Sequence, residues 1–348
     1  MWAGQQSNMK VLGKDELQVA EQVLLQHLPK SYKVYGFIHG INRNKPTTQQ
    51  VVADSWPDFK VIICRPDPMK CTITNQMTME LTEDQLKVAE IELEKYLPRS
   101  QQMYGFVVLR NRVKSDPAQI FVDKWPHFSV VFCKPFCKQE NDPFRIIFVF
   151  ATNEAVLEET IRKSSLIDWT TYFGLGINNS HMEIFKKMVS EKNVPCRKIS
   201  VCHRMRLEDI SKLPPIDSSG ISLSSLDESH IGLVSQTWKF VEHEGADGMI
   251  HRMISNFPSC CVLDADGRPV SWILTYNSCA MGMLYTLLEH RGKGYAKVLI
   301  SSMAKRHHAL GLPVYCFIEE ENTTSYRLFT NLGFTEDPSY RKAWFEFN

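Results

Sequence analysis

The stretch LYTLLEHRGKGYAKVLISSM, residues 284–303, decides how the C-terminal half of this chain folds. A strand ends, a turn carrying Gly292 and Gly294 follows, and an amphipathic helix begins with Val298, Leu299, Ser302 and Met303 facing inward. Successive N–H groups at a helix start have no intrahelical acceptor, and the helix dipole adds partial positive charge. A pyrophosphate fits such a place. Gly292 and Gly294 let the backbone approach phosphate oxygens with no Cβ in the way. Arg291 adds a bidentate charge and Lys293 a point charge. The common nucleotide alternatives do not fit. A P-loop needs G-x-x-x-x-G-K-[ST], which is absent, and Lys297 stands where a dinucleotide fingerprint wants its third glycine.

Working outward, a strand over 313–318 leads into NTTSYRLFTNLGF, residues 322–334. Asn322 suits a helix cap, Leu328, Phe329 and Leu332 form a packing face, and Gly333 suits the C′ position. A strand over 343–347 closes the chain. Upstream, a strand over 281–287 follows a hairpin, 260–263 and 270–275, turned by DADGRP. Helices are expected over 229–240 and 248–257. KLPPIDSSG, residues 212–220, reads as an interdomain linker.

The N-terminal part contains a repeat. Residues 15–66 align with 84–135 at a constant offset of 69 without gaps, with 23 identities in 52 positions. Each copy begins with a helical stripe, Leu17, Ala20, Leu24 and Leu28 or Leu86, Ala89, Leu93 and Leu97, ended by Pro29 or Pro98. Strands are expected at 34–38 and 103–108, and again at VIIC and VVFC. The second copy continues into a strand over 145–151 and helices near 154–163 and 182–192. The first copy stops at Pro66 and a Thr/Met-rich linker. The expected domains are 1–83, a partial duplicate with its linker; 84–211; the linker 212–220; and 221–348.

Composition narrows the partners. Lys plus Arg number 40 against 39 Asp plus Glu, so there is no global basic field for nucleic acid. The longest apolar run, IIFVFA, is far short of a bilayer span. The 10 cysteines lack zinc-site spacing, so no metal is expected, and they read as reduced thiols. The N-terminus carries no secretory signal and no typical transit peptide.

R-x-x-G-x-A over 291–296 and N-x-x-S-x-x-L-F-x-x-x-G-F over 322–334 together resemble the GNAT acyltransferase superfamily. More of the chain, through LPRSQQMYGF, DKWPHF, ISLSSLD, FPSCCVLDADGRPVSW and YTLLEHRGKGY, resembles the glycine N-acyltransferase-like family. The resemblance implies an α/β (α+β) fold. It would have two GNAT-like halves with mixed, largely antiparallel central sheets, plus the partial N-terminal duplication. It implies acyl-CoA as co-substrate and a small amine acceptor, glycine or another amino acid. Arg291, Gly292, Lys293, Gly294, Tyr295 and Ala296 would hold the coenzyme pyrophosphate. Tyr285, Thr286 and Leu287, on a strand splayed from its neighbour, would pair with the pantetheine, as would Asn322. The N-terminal half would be a degenerate acyltransferase fold without a coenzyme turn. A mitochondrial location, with cytoplasm as the alternative, is implied on the same ground.

There are departures from the family pattern. Ala280 stands where the family's general-base Glu belongs, and the loop after Trp238 reads Val241-Glu242-His243-Glu244. Phe329 replaces a Tyr that many GNAT proteins use as general acid, with Tyr326 one turn earlier as the substitute. N-acyl transfer needs a neutral amine, so a base is sought; Glu289 is preferred, ahead of His290, His243 and Glu244. His307 and His308 read as exposed, and Trp238 and Trp272 as core. Conjugation of an acyl group to an amino acid is the leading activity. A GNAT acetyltransferase of protein or peptide amines and a catalytically weak acyl-CoA-binding protein are the alternatives.

Overall fold

The computed structural model describes residues 9–43, 45, 49–66, 78–113, 118–134, 146–239 and 246–347. The chain forms two compact units, Met1–Gln76 and Met77–Asn348.

The first unit runs β1 (Lys10–Val11), α1 (Lys14–Leu25), α2 (Tyr32–Asn42), β2 (Gln49–Ala53) and β3 (Ile62–Pro66), with an antiparallel sheet in the order β1-β2-β3. Leu17, Ala20 and Leu24 of α1 pack with Ile38 of α2 and with Val51 and Ala53 of β2. The second unit opens with the same series: β4 (Met79–Glu80), α3 (Glu83–Glu94), α4 (Gln101–Arg112), β5 (Gln119–Val122) and β6 (Val130–Lys134). The repeat extends to individual bonds. Ser31 Oγ donates to the Leu24 carbonyl and Ser100 Oγ to the Leu93 carbonyl, both at 2.6 Å. Asn42 donates to Glu21 and Asn111 to Glu90. Asp54 and Asp123 each accept two backbone N–H groups at the turn into the last strand. In the first unit the Asn42 bond, aided by Arg43 and His39 against the cost of burial, pulls the Glu21 carboxyl down to about 2.

The segments expected as strands at 34–38 and 103–108 are helices, the middles of α2 and α4. A short apolar run does not separate the two states by itself. What decides it is the serine that ties each second helix back to the first. Both first helices end before their prolines, at Leu25 and Glu94, and Leu28 lies exposed beyond the end.

The second unit continues with β7 (Ile146–Ala151), α5 (Glu154–Lys163), β8 (Phe173–Asn178), α6 (Met182–Lys192) and β9 (Cys196–Arg206). It then repeats the whole series: β10 (Ser222–Ser224), α7 (Ile231–Thr237), α8 (Ala246–Asn256), β11 (Ser259–Leu263), β12 (Pro269–Thr275), β13 (Met281–Thr286), α9 (Tyr295–Ala309), β14 (Tyr315–Glu319), α10 (Thr323–Asn331) and β15 (Thr335–Phe347). Each half therefore has four antiparallel strands, the fourth running parallel to a fifth. The two halves share one 12-stranded sheet, ordered β10-β11-β12-β13-β14-β9-β15-β8-β7-β6-β5-β4. They exchange closing strands: β9 of the first half pairs with β14 of the second, and β15 of the second pairs with β8 of the first. β9 and β15 pair with each other at the centre.

This is a mixed α/β fold with two halves of the same topology, joined in one sheet. β8 contains Gly174-Leu175-Gly176. No helix among the described residues is long and apolar enough to cross a membrane.

Candidate active site

β13 is held along one edge. Toward β12, Thr286 pairs with Ser271, Tyr285 with Trp272, Gly282 with Leu274 and Met281 with Thr275. One residue, Ile273, lies opposite two, Met283 and Leu284, which is a β-bulge. Met283 takes a φ of +49° there, an unfavourable conformation for a bulky side chain that the flanking ladder enforces. Toward β14 the only registered pair is Met281 with Cys316. The two strands part beyond it and leave the edge of residues 282–286 open. The matching strands of the first half, β7 and β8, stay in register over three pairs.

At the far end of β13 a short turn, Leu288–His290, leads to Arg291 and then α9. Gly292 and Gly294 have φ of +78° and +80°, values that favour glycine. No acceptor within the protein meets the N–H groups of residues 292–296 among the described hydrogen bonds. Those groups, at the start of a 15-residue helix, form a site for an anion. The Arg291 guanidinium donates through Nε to the Thr286 carbonyl at 3.1 Å and lies 5.5 Å from the Tyr285 ring centre, which aims the charge over the turn. Lys293 Nζ lies 3.5 Å from His290 Nδ1. The equivalent turn of the first half, between β7 and α5, has no glycine, and Asn153 caps its helix through Val156.

At the near end of β13, Ala280 and Met281 stand in the wall of a cavity of about 270 Å³. Both halves and both exchanged strands build it. Phe148 and Tyr172 come from the first half, Trp238 and Phe317 from the second, Cys202 from β9, and Lys342 and Trp344 from β15. The loop before Ala280 is fixed from behind. Tyr315 donates its hydroxyl to the Ser278 carbonyl, and Cys279 Sγ lies 3.3 Å from the Gly105 carbonyl on α4.

The sequence-derived residues fall into three places. Tyr285, Thr286, Leu287 and residues 291–296 form one continuous surface along β13 and its turn. Asn322 caps α10 by accepting from the Ser325 N–H at 3.0 Å. Glu289 is 67% exposed on the outer side of the turn, 4.0 Å from His290. Tyr326 donates to Glu336 at 2.7 Å, and His203 and Arg341 also sit on that carboxylate. The Glu336 bond and burial push the Tyr326 phenol up. Neither Glu289 nor Tyr326 lines the cavity. His243 and Glu244 lie outside the described residues.

Two expectations are corrected. His307 is fully buried, with Nε2 2.8 Å from the Thr275 hydroxyl, because α9 turns that face onto β12; burial pulls its imidazole down to about 4. Trp238 lines the cavity, whereas Trp272 is core as expected. Lys342 was missed, because a lysine in a terminal strand gives no sign of an inward-facing ammonium. The described cysteines form no disulfide, and among the described residues no His/Cys/Asp/Glu cluster is placed to hold a metal.

A parted pair of strands with an anion-binding helix start at one end and a cavity at the other defines the acyltransferase class. Models of the aralkyl acyl-CoA:amino acid N-acyltransferase family match the chain, the N-terminal model at 9–79 and again at 77–258, and the C-terminal model at 260–347. The chain belongs to that family, and its first unit is a second, partial copy of the family's N-terminal region.

Among similar proteins are rat glycine N-acyltransferase, 27% identical over 281 residues (74% of this chain and 95% of the relative), and bovine glycine N-phenylacetyltransferase, 26% identical with the same coverage. A Drosophila protein of known crystal structure superposes with a TM-score of 0.66 at 16% identity, covering 78% of this chain and 99% of its own. That likeness bears on the fold.

Proposed function

We propose that the enzyme transfers an acyl group from acyl-coenzyme A to the α-amine of a free amino acid, with glycine as the reference acceptor. One observation carries this: β13 links the anion site to the cavity along an edge that β14 leaves open. The N–H groups of residues 292–296, with Arg291 and Lys293, receive the pyrophosphate. The pantetheine runs along residues 282–287, and Asn322 flanks it. The thioester then reaches the bulge at Met283, where main-chain donors stabilise the oxygen of the tetrahedral intermediate. The acceptor comes from the cavity side, past Ala280. The relatives' names, which specify glycine as acceptor and in one case phenylacetyl as the group transferred, support this pairing of substrates.

The amine nitrogen attacks the thioester carbon, the carbon–sulfur bond breaks, and the thiolate leaves with a proton. Ala280 supplies no base where the family's carboxylate would stand. Glu289 would have to leave its exposed place to act as base, and Tyr326 to release Glu336 to act as acid. With neither in place, the rate is expected to follow the neutral fraction of the amine itself. Holding both substrates together is the main catalytic contribution. A thiol-release assay across acetyl-, benzoyl- and phenylacetyl-CoA with glycine, glutamine and other amino acids tests this. Turnover with at least one pair is expected, and coenzyme binding without turnover for any pair would sink the proposal.

A further inference from the structure

In the final strand, Ala343, Phe345 and Phe347 pack into the first half's core, so the alternation of a strand sends Lys342, Trp344 and Glu346 to the other face, the cavity wall. The Lys342 ammonium lies 4.4 Å from the Phe317 ring centre, 4.9 Å from Trp344 and 5.3 Å from Phe148. Aromatic faces stabilise a cation, but they accept none of its three N–H bonds in the way water does. Two carboxylates share the cavity wall, and both are already paired: Glu319 with Lys239 and Glu346 with Arg197. Among the described residues the Lys342 ammonium meets neither a carboxylate nor a hydrogen-bond acceptor. Burial accordingly pulls it down to about 8. Arg252, also on the wall, is half-buried.

An apolar cavity with an unanswered ammonium in its wall suits a small molecule carrying one anionic group.

We propose that Lys342 binds the carboxylate of the amino-acid acceptor and so selects free amino acids over other amines. This rests on the acyl-transfer reading above. Lys342 is a positioning and specificity residue, since it holds the end of the acceptor that does not react. An ion pair formed there is shielded from water, which makes it strong.

The test compares glycine with glycinamide in the wild type and in Lys342→Met, whose side chain fits the same aromatic box. The wild type is expected to favour glycine in kcat/KM by about 10–100-fold, the worth of a charge-assisted bond. The variant should lose that preference through the KM for glycine, with the KM for acyl-CoA unchanged. Equal preference in wild type and variant would overturn the proposal while leaving acyl transfer intact. If no acyl transfer is found with any pair, reductive methylation followed by peptide mass spectrometry decides instead. Protection of Lys342 by glycine but not by glycinamide supports the site, and equal labelling with both refutes it.

Discussion

A Cβ built on Gly105 would lie 1.8 Å from the carbonyl oxygen of Ser278, so α4 of the first half and the loop before β13 of the second meet at a point that admits glycine alone. That contact holds the backbone just ahead of Ala280, and with it the floor of the cavity. Gly105→Ala is expected to destabilise the fold by about 2–3 kcal/mol through forced backbone shifts and to lower kcat about tenfold or more by displacing Ala280. The repeat supplies a control. Gly36, 69 residues earlier, has open space around its Cβ position, and Gly36→Ala in α2 should stabilise its helix by about 0.5–1 kcal/mol. Thermal unfolding and steady-state kinetics on the two variants measure the contrast.

The coenzyme turn gives a second expectation. Gly292→Ala and Gly294→Ala place a side chain at a φ near +80°, which costs roughly 1–2 kcal/mol each. They also put a methyl group where phosphate oxygens approach. The KM for acyl-CoA should rise about tenfold or more in each, with the acceptor KM little changed. Arg291→Gln should act the same way, and its effect should shrink as salt rises. Calorimetric titration with coenzyme A reads both.

Ala280→Glu tests whether a carboxylate is the missing part of the site. With Ala280, log kcat/KM for glycine is expected to climb with pH toward the amine's own pKa. With Glu, the rate near neutral pH should increase by about 10²-fold, within the usual range for a general base, and the profile should flatten. An unchanged profile would mean that deprotonation is not what limits the rate.

His307 makes stability depend on acid. Its pKa is near 6.5 in the unfolded chain and about 4 in the fold. Above pH 6.5 it is neutral in both states and contributes no pH dependence. Between about 6.5 and 4 only the unfolded chain gains the proton, so the native state loses up to about 3 kcal/mol over that window and no more below it. Denaturant unfolding from pH 7 to 4 should show the loss, and His307→Gln should remove that part of the slope.

The glycine-bearing helix start assigned to the coenzyme was legible as a turn because it is local. Arg291 to Ala296 are consecutive, and glycine spacing with a helix start is a pattern within one turn of chain. The offset of 69 was equally plain, since duplication leaves identities whatever the fold. The second helices of each copy, α2 and α4, were misread because a five-residue apolar run has no period of its own. Their fate was settled by Ser31 and Ser100 bonding back across a turn.

The amino-acid sequence by itself determined the repeat, through identities at a fixed offset, and the glycine-bearing helix start at 291–296, because that turn depends on neighbours a few residues apart. Only the tertiary structure decided that β9 and β15 change places between the halves and that His307 is core. It also decided that Lys342 is an ammonium among aromatic rings. β9 depends on partners more than a hundred residues away, Lys342 on rings brought from β7 and β14 beside its own strand, and His307 on which face of α9 meets β12. Strand alternation says that Lys342 and Ala343 face opposite ways, but it does not say which of the two faces is solvent and which is a cavity.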